Sequence, residues 1–531
     1  MSSSPKEIIF EAEARELLYA GIKKLANVVA FTLGPRGRNV GLEKSWGAPT
    51  ITNDGNSIVK DVILENEYEN MGVAIAKEAV QKIKDKCGDG TTTTTILLKS
   101  IVENGIKQIA AGASPINIKR GIDKSIAFAI EEIKKSSIAI KDSKEIRNIA
   151  IVSASGDQEI GNMIADAMEK VGKSGVITIE EAKGTETTVE VVEGMQFDRG
   201  YISAYFCTNM DKGIAELSNP KILLVDKKIS NIHEILPILS PIATQGAELL
   251  IIAEDIDGDA LTTLVINKLR GTLKVVAVKA PGFGDRRKAM LQDIAVLTGG
   301  AVVSEETGLN LNEIPLDMLG SAERIIVSKE YTTIVNGHGQ SEEIKARIKQ
   351  LEHEITASSS SYDKEKLEER KAKLGGGVAV IKVGALTETE MKLNKQKFED
   401  SLNSTKAALE EGIVPGGGVA LLRASQKLAN LHLSGEEEVG KKIVMSAFET
   451  PFKQIVSNSG CEDLVILSEV KNKPYEMGFN ALSEKIENMV ESQILDPTKV
   501  VTTSITLASS AAGVILLTEA LISDAKEEEA T

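Results

Sequence analysis

The run Gly88-Asp89-Gly90-Thr91-Thr92-Thr93 carries the clearest chemistry in the chain. Consecutive backbone N–H groups at a helix start converge on one spot, and the helix dipole adds partial positive charge there. Glycines let the backbone come close to a phosphate, and threonine hydroxyls add donors. Asp89 would repel a phosphate directly, but as a Mg2+ ligand it reaches phosphate oxygens through the metal. The bland alternative is an ordinary helix start, because Asp and Thr are good N-caps and Gly-Asp-Gly is a common turn. Three further segments could border the same ligand. Thr32-Leu33-Gly34-Pro35 reads as a helix end with free backbone. Thr52-Asn53-Asp54-Gly55 reads as a tight turn offering a second carboxylate, or as a plain type I′ hairpin turn. Gly416-Gly417-Gly418 opens a helix and could face an adenosine, or act only as a hinge.

Other chemistries find little support. No GxxxxGK[ST] run occurs at these loops, no GxGxxG follows a strand, and no GxSxG elbow is present, which disfavours kinase, Rossmann and serine-hydrolase readings. The histidines, His233, His338, His353 and His432, show no metal-ligand spacing. Cys87, Cys207 and Cys461 lie far apart with no CxxC pair, pointing to a reducing compartment. The net charge of −15 disfavours nucleic-acid partners. The start MSSSPKEIIFEAEAREL has no apolar h-region, so no signal peptide is expected. Val500 to Thr518 is uncharged but rich in Thr, Ser, Ala and Gly, and reads as a buried core helix rather than a membrane span.

The elements that must position these groups follow from periodicity. At 531 residues the chain is too long for one typical core, and about three domains are expected. Leu18, Ile22, Leu25 and Val29 form one helical stripe, and Val73, Ala76, Val80 and Ile83 form a second that stops at Cys87. A third helix follows the threonines, with Leu98, Val102, Ile106 and Ile109 on one face. The middle changes to short apolar runs, Ile222–Val225, Leu249–Ala253, Val275–Val278, Ala301–Val303 and Ile325–Val327. From Glu248 to Ser304 the order is strand, helix, strand, helix, strand, which predicts a parallel sheet with crossover helices in a separate α/β domain. Ser341 to Leu374 reads as a solvated helical hairpin. The layout predicts nesting, with the two chain ends forming one domain around an insertion.

The segments TLGPRGRNV, TITNDG, GDGTTT, EGMQFDRGY, VKAPGFGDRRKAML, GGVAVIKVGA, GGGVAL and ILDPTKV resemble the group I chaperonins of the bacterial GroEL type. The resemblance runs from about Glu11 to about Asp524. It implies an ATP-dependent chaperone with Mg2+ and K+ as cofactors. It further implies two stacked heptameric rings, a GroES-type cochaperonin lid, and unfolded or misfolded client proteins as partners, in a bacterial cytoplasm. Three domains follow: a mainly α-helical equatorial ATP-binding and ring-contact domain (1–135 and 411–531), a small α/β intermediate hinge domain (136–192 and 378–410), and an α/β apical client-binding domain (193–377).

Matched position by position, the resemblance gives each site residue a role. Thr32, Leu33, Gly34 and Pro35 border the nucleotide, Asp89 holds Mg2+, and Gly90, Thr91, Thr92 and Thr93 form the phosphate loop. Gly417 lies near the ribose, Asp496 contacts it, and Asn480, Ala481 and Leu482 form an adenine-side strip. Asp54 and Asp400 orient and activate the attacking water, with Asp400 on a segment that swings down onto ATP. Tyr201, Tyr205, Phe206, Leu236, Leu239, Leu261, Val265 and Ile266 match the client and cochaperonin surface. Spacing puts Leu236 with Leu239, and Leu261 with Val265 and Ile266, on one helix face each, which alone reads as ordinary core and by resemblance as two exposed apolar helices.

Departures from the family pattern include Asn53 for a usual lysine, whose carbonyl neighbours nucleotide or K+. They also include Trp46, Thr94, Cys87 before the loop, and the ending ISDAKEEEAT where many relatives carry a Gly-Gly-Met repeat. They motivate a second hypothesis, a diverged paralogue that binds or assembles clients with weak or altered ATPase cycling. A third, a metabolic phosphotransferase, lacks the small-molecule motifs.

Overall fold

Apolar stripes and breakers set the helices, and long-range pairing sets the sheets. The computed structural model describes residues 5–43, 49–140, 143–154, 157–172, 175–182, 184–210, 212–304, 307–358 and 360–524. Trp46, Ser359 in the expected helical hairpin, and the acidic ending beyond Asp524 lie outside them. The chain divides into two compact units, Met1–Ala165 with Gln396–Thr531, and Asp166–Lys395. The first is therefore built from both chain ends.

Along the chain the helices are α1 (Glu11–Ala30), α2 (Gly55–Asp61), α3 (Glu67–Cys87), α4 (Thr91–Ala110), α5 (Pro115–Lys135), α6 (Ser143–Ser153) and α7 (Gln158–Val171). The second unit carries α8 (Leu236–Gln245), α9 (Gly258–Leu269), α10 (Gly284–Thr298), α11 (Ser341–Ala357) and α12 (Ser361–Gly375). Then follow α13 (Glu388–Glu411), α14 (Val419–Lys427), α15 (Glu437–Phe448), α16 (Thr450–Asn458), α17 (Asp463–Lys471) and α18 (Thr498–Leu516).

In the first unit the stripe of α1 is buried at Leu18, Ile22, Leu25 and Val29, and that of α3 at Val73, Ala76, Val80 and Ile83. On α4 Leu98 and Val102 are buried, while Ile106 and Ile109 pack at the edge of the same core. Among the described residues α18 alone is long and apolar enough to cross a membrane. It packs against α3, α4 and α5, with Ile505, Ala508, Ala512, Ile515 and Leu516 fully buried, so it is the core helix its composition predicts. The segments Lys6–Phe10 and Ala520–Asp524 pair antiparallel, joining the two ends of the described chain.

In the second unit the predicted alternation appears as Glu248–Ile256, α9, Lys274–Lys279, α10 and Val302–Val303. Glu248–Ile256 lies between Lys274–Lys279 and Lys221–Ile229, parallel to both, and Val302–Val303 is parallel to Lys221–Ile229. The sheet is mixed beyond that block. Gly320–Val327, Thr332–Gly337 and Gly194–Phe197 add antiparallel strands. Val378–Val383 pairs with Val176–Glu181 in a separate small sheet.

The hairpin α11–α12 is more than a solvated pair. Ile344 and Leu351 are buried on its inner side. Asp293 of α10, only 2% exposed, accepts Arg347 Nε at 2.8 Å and Arg370 Nε at 2.8 Å, one guanidinium from each hairpin helix. A buried carboxylate is tolerated when it is paired and fully hydrogen-bonded, and removing it strands both cations. Asp293→Ala should therefore cost about 3–5 kcal/mol, read as a lower urea midpoint with early tryptic cleavage in α11 or α12. An unchanged midpoint and cleavage pattern would show that the hairpin is held by apolar packing alone.

Candidate functional site

The loop between α3 and α4 depends on two left-handed glycines. Gly88, at φ +74°, caps α3 and donates its N–H to the Lys84 carbonyl at 2.8 Å. Gly90, at φ +85°, starts α4, and a Cβ there would lie 2.8–2.9 Å from Ile83, Ser504 and Val500. A side chain at Gly90 would meet both backbone strain and a wall of neighbours. No side chain caps α4. Asp89 accepts from the N–H of its neighbour Gly90 at 2.6 Å and, among the described residues, caps no N–H of the α4 first turn, so the ordinary N-cap alternative is not what the residues do. The first turn of α4 thus presents N–H groups without a capping side chain. Thr92 and Thr93 are half-buried at its mouth. The Thr94 and Thr95 hydroxyls turn back to the Gly90 and Thr91 carbonyls at 2.8 and 2.9 Å, so Thr94 braces the loop from inside. Cys87 is buried with Ile83, Ala407 and Val500, and burial pushes its thiol pKa up, so it backs the loop as an apolar group.

Asp54 sits in neither a tight turn nor a hairpin. The strand Thr50–Thr52 runs into α2, and Asp54 is the α2 N-cap. Its carboxylate accepts from Ser57 N–H at 2.8 Å, Ser57 Oγ at 2.7 Å and, more weakly, Asn56 N–H at 3.4 Å. Gly55 packs so tightly on Thr91 and Thr92 that a Cβ would overlap the Thr92 hydroxyl. The Asp54 cap is therefore pressed onto the first turn of α4.

Two side chains one turn apart on α13 complete this face. Gln396 Nε2 donates to Asp54 Oδ2 at 2.7 Å, and Asp400 forms an ion pair with Lys84. Lys84 Nζ also donates to the Gly88 carbonyl at 3.3 Å. Burial raises the Asp54 pKa, but the Ser57 hydrogen bonds, the Lys84 charge and the Gln396 amide outweigh it and hold the carboxyl below the usual range. Asp400 goes the other way. Burial pushes its pKa up to about 7 against the pull of Lys84, and the negative charges of Asp54 and Asp89 add to the rise.

The glycine cluster adds a fourth carboxylate. Ile413–Pro415 pairs with Leu495–Pro497, setting Val414 opposite Asp496. A Cβ at Gly416 would lie 3.0 Å from Asp496 Oδ1, so the cluster opens onto that carboxylate. Burial, then the charge of Asp89, pushes Asp496 up to about 7. Gly417 faces Met489, in the apolar cluster that also holds Leu33, Ala481 and Ile494. Asn480 is committed to its own turn, donating to Glu487 at 2.5 Å and accepting from Leu482 N–H at 2.9 Å. That turn leaves Ala481 buried and Leu482 exposed. Arg36 ties it to the 32–36 segment by a bond to the Leu482 carbonyl at 3.2 Å and an ion pair with Glu484 at 2.6 Å. The expected free helix end at Thr32–Pro35 is partly occupied. Asn458 Nδ2 donates to the carbonyls of Ala30 and Leu33 at 2.9 Å each, and the buried Thr32 hydroxyl bonds Val29. Asn53 is exposed beside Asp54.

Among the described residues no group of three or more His, Cys, Asp or Glu side chains is arranged to hold a metal alone. A single exposed carboxylate, Asp89, beside an uncapped helix start fits Mg2+ that shares its shell with phosphate oxygens. Lys84, Gln396, Arg36 and Asn458 were not singled out in the sequence. Only Lys84 left a local signal, as a cation in the last turn of a helix.

In the second unit the expected apolar surface divides. Leu236 (44%), Ile266 (42%) and Tyr205 (60%) are exposed. Tyr201, Leu261 and Val265 are partly buried against the core. Leu239 and Phe206 are 7% and 0% exposed, so they belong to the core beneath. A spacing of three fixes a helix face but not its depth, and Leu239 packs inward while Leu236, in the first turn, stays out.

The sequence profile of the TCP-1/cpn60 chaperonin family matches residues 25–526. The chain belongs to that chaperonin family, with the multidomain architecture of its GroEL branch. Chaperonin GroEL 3 of Protochlamydia amoebophila (strain UWE25) is 67% identical over 527 residues, which cover 99% of each chain. This protein is accordingly a GroEL-type group I chaperonin, an ATP-dependent chaperone.

The raised pKa of Asp496 has a stability consequence. Its folded-state pKa lies above the unfolded one, so the folded chain holds the extra proton and stability falls as pH rises from about 4 to about 7. Asp496→Asn should raise the nucleotide-free melting temperature most above pH 7, with the gain shrinking as pH falls through that window from about 7 towards about 4. An equal gain at pH 5 and pH 8 would contradict this electrostatic account.

Proposed function

We propose that the chain binds Mg-ATP between the α3–α4 loop, the Asp54 cap, the glycine cluster and the 480–482 turn, and hydrolyses it to drive binding and release of non-native proteins. The observation that carries this reading is the gathering of Asp54, Asp89, Asp400 and Asp496 at an uncapped helix N-terminus. Four carboxylates would repel a bare triphosphate, while the N–H groups of Thr91, Thr92 and Thr93 would bind one. Bound Mg2+ resolves the conflict by neutralising phosphate charge. Asp89 would hold it, and the Asn53 carbonyl is the proposed K+ neighbour. Leu33, Ala481 and Gly417 would border the adenosine, with Asp496 at the ribose.

Hydrolysis needs a water placed in line with the γ-phosphate and a group to take its proton. Asp54, held ionised by Ser57 and Gln396, would orient that water. Asp400, with its pKa near 7, would accept the proton, since a base poised near the working pH is most effective. In the proposed three-domain division, α13 belongs to the intermediate domain, so arrival of Asp400 would couple hydrolysis to domain closure. We extend the reading to two stacked heptameric rings, a GroES-type lid and a cytoplasmic setting. The three free cysteines are in keeping with that compartment.

Tyr205, Leu236 and Ile266 would supply the exposed apolar contacts for clients and lid, without sequence reading.

Three outcomes test this reading. Asp400→Ala should keep ATP affinity, measured by calorimetry, while hydrolysis falls by roughly a hundredfold or more. Normal turnover would remove Asp400 from the chemistry. Refolding of a denatured client should require ATP and cochaperonin, and recovery without ATP would instead favour a passive binding protein. Leu236→Glu should lose client capture with ATPase intact, whereas Leu239→Glu should unfold the second unit. Retained capture in Leu236→Glu would place the client surface elsewhere.

A further inference from the structure

Among the described residues, Lys84 is the cation that acts on both Asp400 and Asp54. It lies in the last turn of α3, one turn before Gly88, where a positive charge also suits the helix C-terminus. Its ammonium joins two parts that the chain separates by 316 residues, pairing with Asp400 of α13 and donating to the Gly88 carbonyl at 3.3 Å. Both partners of the pair are largely shielded, Lys84 at 18% and Asp400 at 25% side-chain exposure. Such a pair is held more firmly than a surface one. The same α13 face is fixed a second time by Gln396 on Asp54. Facing Asp400 are Lys84 from α3, Asp89 from the loop and Asp54 from the α2 cap, so two like charges push it away and one cation holds it.

We propose that Lys84 is a positioning residue for hydrolysis, the tether that keeps the Asp400 carboxylate docked on the Gly88-Asp89-Gly90 loop. This rests on the reading of Asp400 as the residue that activates water. Lys84 itself touches no reacting atom. It acts by cancelling the repulsion that would turn the Asp400 side chain away, and by fixing its distance from the loop backbone. A displacement of about 1 Å at such a group lowers turnover by up to about a hundredfold. The loop N–H groups that would bind phosphate do not involve Lys84, so nucleotide affinity should be spared.

Steady-state ATPase assays on the intact, assembled protein test this. Lys84→Met should lower kcat by about ten- to a hundredfold with KM and the calorimetric ATP affinity little changed. Lys84→Arg, which keeps the charge and can reach the same carboxylate, should recover most of kcat. Lys84→Met combined with Asp400→Ala should be no slower than Asp400→Ala alone, because the tether has nothing left to hold. Lys84→Gln serves as a second uncharged variant if the methionine variant fails to assemble. An unchanged kcat in folded Lys84→Met, a loss appearing only in KM, or an arginine variant as slow as methionine would each overturn the proposal. Normal hydrolysis by Asp400→Ala would instead overturn the underlying reading, so the two failures are told apart.

Discussion

Like charges crowded against a helix N-terminus are the constraint around which the first unit is arranged. Asp54, Asp89, Asp400 and Asp496 come from four segments, and burial first, with neighbouring negative charge adding to it, pushes Asp400 and Asp496 up to about 7. Such crowding works against folding unless something offsets it. Part of the offset is built in: Lys84 pairs with Asp400, Gln396 and Ser57 hold Asp54, and the dipole of α4 favours negative charge nearby. In the proposed reading, the rest would fall to a ligand that brings cationic charge together with phosphate.

The surrounding packing holds this arrangement open. Gly90 has no room for a side chain against Ile83, Val500 and Ser504, which belong to α3 and the core helix α18. Gly55 likewise seats the Asp54 cap on α4 without a gap. The loop is thus fixed by three helices, and α13 meets it through Gln396 and Asp400 and through Ala407, which packs with Ile83, Cys87 and Val500.

Much of the architecture was legible in the residues. The stripes of α1, α3 and α4, the strand–helix alternation from Glu248 to Val303, and the glycine-led starts of α4 and α14 all follow from period and breakers. The gathering of carboxylates was not, because no local pattern links Asp400 or Asp496 to a loop some 300 or more residues away. Resemblance supplied those positions, and the geometry supplied their company. Local reading failed at Asp54, where a helix cap was taken for a turn; the distinguishing signal was Ser57, three residues on, whose N–H and hydroxyl both bond the carboxylate. At Leu239 and Phe206 the resemblance, not the local pattern, put core residues on the surface, since spacing fixes a face while the depth of that face depends on what lies behind it.

The most direct test of the central claim is calorimetric titration of the protein with ATP, with Mg2+ present and with Mg2+ removed by chelator. If the carboxylate cluster and the uncapped α4 together form a site for metal-bound triphosphate, binding should be tight with Mg2+ and weaker by at least about tenfold without it. Equal affinity in both conditions would contradict the account, because four carboxylates would then be shown to impose no demand for a cation.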